Sequence, residues 1–396
     1  MQSCRNPVNA MQAAPELNLR RMLEEHNHKR SLEELATKPG LLRLEVRGVQ
    51  GELVVEVLEA VAEHQGLQEL DMAFNYPYSC SLDMVLPKLL VRAVTKLVRL
   101  DLSGTALTAA QATALCTAMA QGSKLTCLNM AENDLAEVPA EVLAAAVGTL
   151  VEVNLGNTSL NHQQAAAVWA AMARASGVTK VVMSDNNMSQ VPVEVLVQVA
   201  TRVQVLGLSG YGNTRLTGQQ VAALFAALSE KNNLIDLDLG FSLAAVPGDV
   251  LVKVVTKVAK VQLNKTALVA EQVLQLCEAL ATQDCLLVDL DLTRNDLYMV
   301  EPRLLARAVN RLEVAYLFDT DLNKHQVAAI LQLSVCTDHG QSKLKELCLG
   351  EEDCEAKGFV DPSLIAAARR QILKMEINDF EYAGSTMEEL VNEGYY

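Results

Sequence analysis

Aromatic side chains are scarce in this chain of 396 residues: they make up 4% of it, with a single tryptophan, although apolar residues reach 50%. That balance argues against one large core built on aromatic anchors and for many thin layers of Leu, Val and Ala. Basic charge is also short. The formal net charge is −15, a field that repels nucleic acid and anionic membranes and favours basic or neutral partners. No apolar run reaches the length of a membrane span, and residues 1–16 lack the apolar centre of a secretory leader. The nine cysteines are odd in number and scattered, with no C-x-x-C, so neither a disulfide framework nor a zinc site is expected. Reduced, buried thiols in a cytoplasmic protein fit this usage.

Catalytic signatures are missing as well. The chain has no H-E-x-x-H, no G-x-S-x-G, no G-x-x-x-x-G-K-[ST] and no G-x-G-x-x-G. Of six histidines, His26 and His28 stand two apart in a charged segment and cannot share a helical face, and His162 and His325 occupy the same place in related segments. We therefore expect no enzyme activity, no cofactor and no metal site.

What the chain does have is a repeat. L-x-x-L-x-L recurs from Leu41, Leu67, Leu97, Leu125, Leu150, Val178, Val203, Leu234, Val258, Leu287, Leu312 and Leu344, and in worn form from Ile372, at spacings averaging about 28 residues. The L-x-L core predicts a short strand whose alternate side chains point inward. Two kinds of repeat alternate. In one the residue at the turn is Thr (Thr105, Thr158, Thr214, Thr266, Thr320), and a Gln follows at a fixed distance (Gln111, Gln164, Gln220, Gln272, Gln326). Thr108 to Gln111 and Thr217 to Gln220 predict capping boxes, with Asn161 and Asn323 as equivalent caps. In the other kind the turn residue is mostly Asn (Asn75, Asn133, Asn186, Asn295). A proline then opens a helix (Pro87, Pro139, Pro192, Pro247, Pro302, Pro362), and that helix ends in a pair such as Thr95-Lys96 or Thr256-Lys257. Stacked Asn and Thr side chains are suited to satisfying turn backbone groups. Trp169 occupies the helix position that holds Cys116, Phe225 and Cys277 in sister repeats, which marks it as a packing residue.

This pattern resembles the ribonuclease-inhibitor-like class of leucine-rich repeat proteins and the repeat regions of NOD-like receptors, over residues 41–377. The resemblance implies an α/β leucine-rich repeat solenoid: a horseshoe with a parallel sheet on its concave face, helices on its convex face, and protein ligands gripped by the concave face and rim. The expected layout is a disordered N-terminus over 1–14, a helical cap over 15–40, about twelve repeats over 41–371 and a C-terminal cap over 372–396 with a short acidic helix. Insertions at Phe74–Cys80, Gly210–Thr214 and Glu351–Gly358 would line one rim.

The repeat register also names the outward-facing strand positions. Asp236 and Asp238, Asp289 and Asp291 face outward with Lys260 between them, Phe241 follows the first pair, and Val314, Tyr316 and Phe318 lie alongside. An acidic field beside aromatic anchors suits a protein partner, preferentially basic. The expected function is a non-enzymatic interaction scaffold. The alternatives the resemblance implies are a ribonuclease inhibitor and a GTPase regulator, since GTPase-activating proteins for Ran use this repeat class too. The long acidic tail of those regulators has no counterpart in the short, mixed C-terminal segment.

Overall fold

The structure is a computed structural model that describes residues 16–18, 40–46, 49, 51–73, 81–210, 214–282, 284–335, 342–350 and 360–378. Two compact units divide it, Met1–Val195 and Leu196–Tyr396.

In the first unit, β1 (Glu16–Asn18), β2 (Arg43–Glu45), β3 (Glu69–Asp71), β4 (Arg99–Asp101), β5 (Cys127–Asn129), β6 (Glu152–Asn154) and β7 (Lys180–Val182) form a parallel sheet in sequence order. After β2 come α1 (Glu52–Glu63), α2 (Pro87–Val94), α3 (Ala109–Ala120), α4 (Ala140–Val147) and α5 (His162–Arg174), one after each strand up to β6. The unit boundary falls within α6 (Val193–Ala200). The second unit repeats the arrangement with β8 (Val205–Leu208), α7 (Gly218–Glu230), β9 (Asp236–Leu239), α8 (Gly248–Val255), β10 (Lys260–Gln262), α9 (Ala270–Thr282), β11 (Asp289–Asp291), α10 (Pro302–Val309), β12 (Val314–Leu317), α11 (Lys324–Val335), β13 (Glu346–Gly350), α12 (Pro362–Gln371) and β14 (Lys374–Asn378), its strands again parallel and in order.

The strands form where the L-x-L alternation stands. Their central residues stack in register, Leu44, Leu70, Leu100, Leu128, Val153 and Val181 in one unit and Leu206, Leu237, Val261, Leu290, Ala315 and Leu347 in the other, and all are buried. Each buried Leu or Val contributes about 1.5–3 kcal/mol by leaving water, so every repeat adds its own layer of core. Trp169 belongs to that core and is fully enclosed, as are Cys116, Phe225 and Cys277. Burial pushes the Cys116 and Cys277 thiols up to about 12. Cys127 is also free and buried, Cys285 is free and half-buried, and Cys348 is buried.

The turn ladder takes the form expected of it. Asn186 accepts from the Leu160 N–H (2.8 Å) and the Thr158 hydroxyl (3.2 Å), while its amide donates to the carbonyls of Leu155, Met183 and Ser184. Asn133 and Asn295 make the same set of backbone bonds. Glu132, Asp185 and Arg294, each just before a ladder Asn, are held at φ between 55° and 60°. That conformation costs a non-glycine residue about 1–2 kcal/mol, which the Asn bonds offset.

The capping boxes of α3, α5 and α7 form around Thr108, Asn161 and Thr217, and Asn323 caps α11 in the same way. The glutamine has a second role. Its amide donates to the loop of the preceding repeat: Gln111 to Leu82 and Val85 carbonyls, Gln164 to Leu135 and Val138, Gln272 to Leu243 and Val246, Gln326 to Leu297 and Val300. One repeat breaks the box. Val269 stands at the cap of α9, where its side chain can accept no helix N–H, although its own N–H still donates to Gln272 (2.8 Å). Val269 is exposed. Val269→Thr is expected to stabilise the protein by about 1 kcal/mol, read as a higher urea midpoint at unchanged slope; an unaltered midpoint would refute the cap argument.

Several expectations need correction. Within the span 15–40, read as a helical cap, Glu16–Asn18 are a strand paired in parallel with β2; the alternating E-L-N-L suits an added edge strand. Residues 19–39 of that span, the segment 1–14 and the acidic helix near residue 385 lie outside the described residues, as do nearly all of the three insertions. Pro87, Pro302 and Pro362 begin their helices, but Pro139 and Pro247 stand one residue earlier, at the cap, and Pro192 directly precedes α6. The lysine of the Thr-Lys pair reaches across to the previous repeat rather than to its own helix: Lys96 Nζ donates to the carbonyls of Ala62 (2.7 Å) and His64 (2.6 Å), and Lys257 Nζ to that of Ser229. Burial holds the Lys96 ammonium below its usual range.

Candidate functional site

On β2 to β12 the alternation along each strand sets its first and third residues on the side of the sheet away from the core. Those positions build two charged fields, one per unit.

In the second unit the register sets Asp236, Lys260, Asp289 and Val314 side by side, with Asp238, Gln262, Asp291 and Tyr316 in the row beside them. The residues singled out from sequence on these strands therefore come together on consecutive strands, and all are half-buried. Phe241 and Phe318 follow β9 and β12 and are half-buried too. Lys260 Nζ lies 3.8 Å from Asp289 Oδ2. The other oxygen of Asp289 is enclosed and receives no hydrogen bond among the described residues. Asp238 accepts from the Ser209 hydroxyl (2.6 Å), and Asp291 from the Thr293 N–H (2.8 Å). Burial raises the carboxyl of Asp238 above the usual range; Asp236 and Asp291 add to the rise, while Ser209 and Lys260 oppose it. Asp289 is raised first by burial, with Asp236, Glu346 and Asp291 adding and Lys260 opposing. The field is thus four carboxylates against one ammonium, and its members repel one another.

The aromatic flank differs from a plain apolar patch. The Tyr316 hydroxyl donates to Glu346 Oε1 (3.1 Å), and Lys374 Nζ donates to the same oxygen (2.7 Å). Burial and Glu346 push Tyr316 up to about 12, while the bonds from Lys374 and Tyr316 hold Glu346 low. Glu346 escaped the sequence reading although its repeat, from Leu344, is regular, and Lys374 because its repeat, from Ile372, is worn. The register Val314↔Glu346↔Lys374, two strands past the Asp289 position, is the signal that would have found them.

In the first unit a depression of about 320 Å³ crosses β2 to β7. Cys127, placed outward by the repeat register, forms its floor and is only 9% exposed. Arg99 reaches over it from β4 to β6 and donates to both oxygens of Glu152 (3.1 and 3.2 Å). Among the described residues no three His, Cys, Asp or Glu side chains group so as to hold a metal ion.

No protein-family model matches this chain, and no curated protein matches it. Solved structures do. A chain of the Rad7–Elc1 complex from yeast aligns with 90% of this chain and 81% of its own length, at 16% identity and a TM-score of 0.53. The leucine-rich repeat-containing protein LegL7 from Legionella pneumophila aligns with 77% of this chain and 98% of its own length, at 16% identity and a TM-score of 0.44. The Toll–Spätzle complex from Drosophila covers 87% of this chain and 48% of its own, at 15% identity and a TM-score of 0.37. The parallel strands in sequence order, the helix after each repeat strand and the alternating Thr and Asn turns give this chain the fold of a leucine-rich repeat solenoid.

Proposed function

We propose that this chain is a non-enzymatic scaffold that recognises a partner protein, and that the sheet face of its second unit takes a basic segment of that partner. The observation that carries this reading is the group Asp236, Asp238, Asp289 and Asp291 around the single Lys260, with the carboxyls of Asp238 and Asp289 raised by burial and by Asp236 and Asp291. A guanidinium or ammonium brought there relieves the repulsion among the carboxylates. Tyr316, fixed by Glu346, offers a rigid ring beside it. The fold it shares with a chain of the Rad7–Elc1 complex, itself an assembly of proteins, fits such a role. The cytoplasm is the compartment we assign, on the strength of the free, buried thiols; no helix among the described residues is long and apolar enough to cross a membrane.

The test is affinity capture from the native source with the wild-type chain and with Asp238→Ala, Asp291→Ala and Tyr316→Ala combined. A basic partner bound at least about 100-fold more weakly is expected, about 2.7 kcal/mol for the two half-buried carboxylates and one aromatic anchor together. Equal recovery on both baits sinks the reading. The bound form needs these carboxylates ionised, so binding should weaken as the pH falls and the raised carboxyls of Asp238 and Asp289 take up protons, and it should weaken with added salt. Titration calorimetry across pH, with the captured partner, measures both; affinity that rises on acidification contradicts the assignment.

A further inference from the structure

We propose a second recognition site, on the sheet face of the first unit, for an extended peptide segment that sets a carboxylate over β7 and a cationic side chain over β3 and β4. It stands apart from the acidic field of the second unit and has the opposite polarity at one end.

The argument begins at Arg99. Its guanidinium passes over β5, where Cys127 is short and buried, and binds Glu152 on β6 through two hydrogen bonds. The positive charge that β4 carries in sequence is thereby moved two strands along. On β2 to β4 this leaves Arg43 alone against Glu45, Glu69, Asp71 and Asp101, and Arg43 already contacts Glu45 (3.3 Å) and Asp71 (3.8 Å). On β5 to β7 the balance reverses. Arg99 and Lys180 stand against Glu152, whose two oxygens are both taken by Arg99. Lys180, next to Glu152 in register, has no ion pair or hydrogen bond at its ammonium among the described residues, whereas Arg43, Arg99, Lys260 and Lys374 on the same faces of the two sheets are paired. Beside it Asn154 accepts from the Gly156 N–H (3.0 Å), but its amide N–H groups find no acceptor among the described residues. Two unmatched donors thus face the β7 end of the 320 Å³ depression, and a surplus of carboxylates faces the other end.

A carboxylate answers Lys180 and Asn154. A free anion would still meet the acidic half and the net charge of −15. A segment that carries its own cation satisfies both ends. Glu69 on β3 and Lys180 on β7 are four strand steps apart, about 19 Å at ~4.8 Å per step. An extended chain covers that distance in about six residues at ~3.3 Å each. The occupant is therefore an extended segment with a Lys or Arg about six residues from an Asp or Glu.

Random peptides displayed on phage, selected on the full chain and counter-selected on Lys180→Glu, test this. The survivors are expected to carry that charge pair at that spacing. A synthetic survivor should bind Lys180→Glu at least about tenfold more weakly than wild type, and replacing its carboxylate by lysine should restore binding to Lys180→Glu while abolishing binding to wild type. Lys180 is half-buried and unpaired, and equal thermal melts of the two baits check that the variant folds. The survivors should bind the Asp238, Asp291, Tyr316 triple variant as they bind wild type, so this site and that of the second unit succeed or fail separately. Survivors without a carboxylate, equal affinity for both baits, failure of the charge swap, or no peptide passing the counter-selection would each overturn the proposal.

Discussion

Asn186→Ala should remove about 3–5 kcal/mol of folding stability although it deletes only a carboxamide. The side chain is 1% exposed and connects two repeats. Its oxygen is the acceptor for the Leu160 N–H, and its amide is a donor to the Leu155 carbonyl, both in the preceding repeat. Truncation strands these two groups away from water, at about 1–3 kcal/mol each, and removes the bond from Thr158. The support that holds Asp185 at φ 55° goes with it. Asn186→Asp should fare no better, because it sets a carboxylate against the carbonyl oxygens of Leu155, Met183 and Ser184. Urea unfolding followed by the fluorescence of Trp169, the single tryptophan of the chain, reads the loss within the same unit. Hydrogen exchange at the Leu160 N–H gives a local measure, since loss of its acceptor should bring its protection down with the stability. A loss below about 1 kcal/mol would mean that water satisfies the ladder as well as asparagine does.

This ladder was legible in the sequence, because the residue that turns the chain recurs at a fixed distance from the strand. The capping boxes were legible for the same reason, both partners lying three residues apart. Contacts between repeats were not. The amide of Gln164 meets carbonyls 26 and 29 residues away, and only the stacking of one repeat on the next brings them together. Lys96 read as a favourable charge at the C-terminus of its own helix, yet its stem carries the ammonium to the end of the previous one. The site shows the same division. That Asp236, Lys260 and Asp289 adjoin follows from repeat register alone, whereas the reach of Arg99 across a strand depends on the small size of Cys127, and the Tyr316–Glu346–Lys374 chain ends on a repeat whose pattern has worn. Departures from the repeat were visible but not their outcome. Phe241 stands where sister repeats have the ladder Asn, with Ser242 in the place of Asp134 and Asp296, the loop before Thr214 is three residues longer, and Thr214 bonds to Ser209, five residues back, where Thr105, Thr158, Thr266 and Thr320 bond three residues back.

Trp169 offers the other large effect, and a contrast that separates volume from polarity. Trp169→Ala is expected to cost about 3–5 kcal/mol, because the ring is wholly enclosed in the core of the first unit and the repeats on either side cannot close over its space. Trp169→Phe should cost far less, under about 1.5 kcal/mol. The indole N–H has no acceptor among the described residues, so its removal recovers about 1–3 kcal/mol of an unmet hydrogen bond, against the loss of the smaller ring's missing contacts. Phe225 occupies the same helix position in the next Thr-type repeat and is buried as completely, which shows that the layer accommodates a phenyl ring. Thermal and urea unfolding followed by circular dichroism measure both variants without a tryptophan signal. If Trp169→Phe were as damaging as Trp169→Ala, the indole would have to be held by a polar contact rather than by packing, and the equivalence of Trp169, Phe225, Cys116 and Cys277 as interchangeable fillers of one solenoid layer would fall with it.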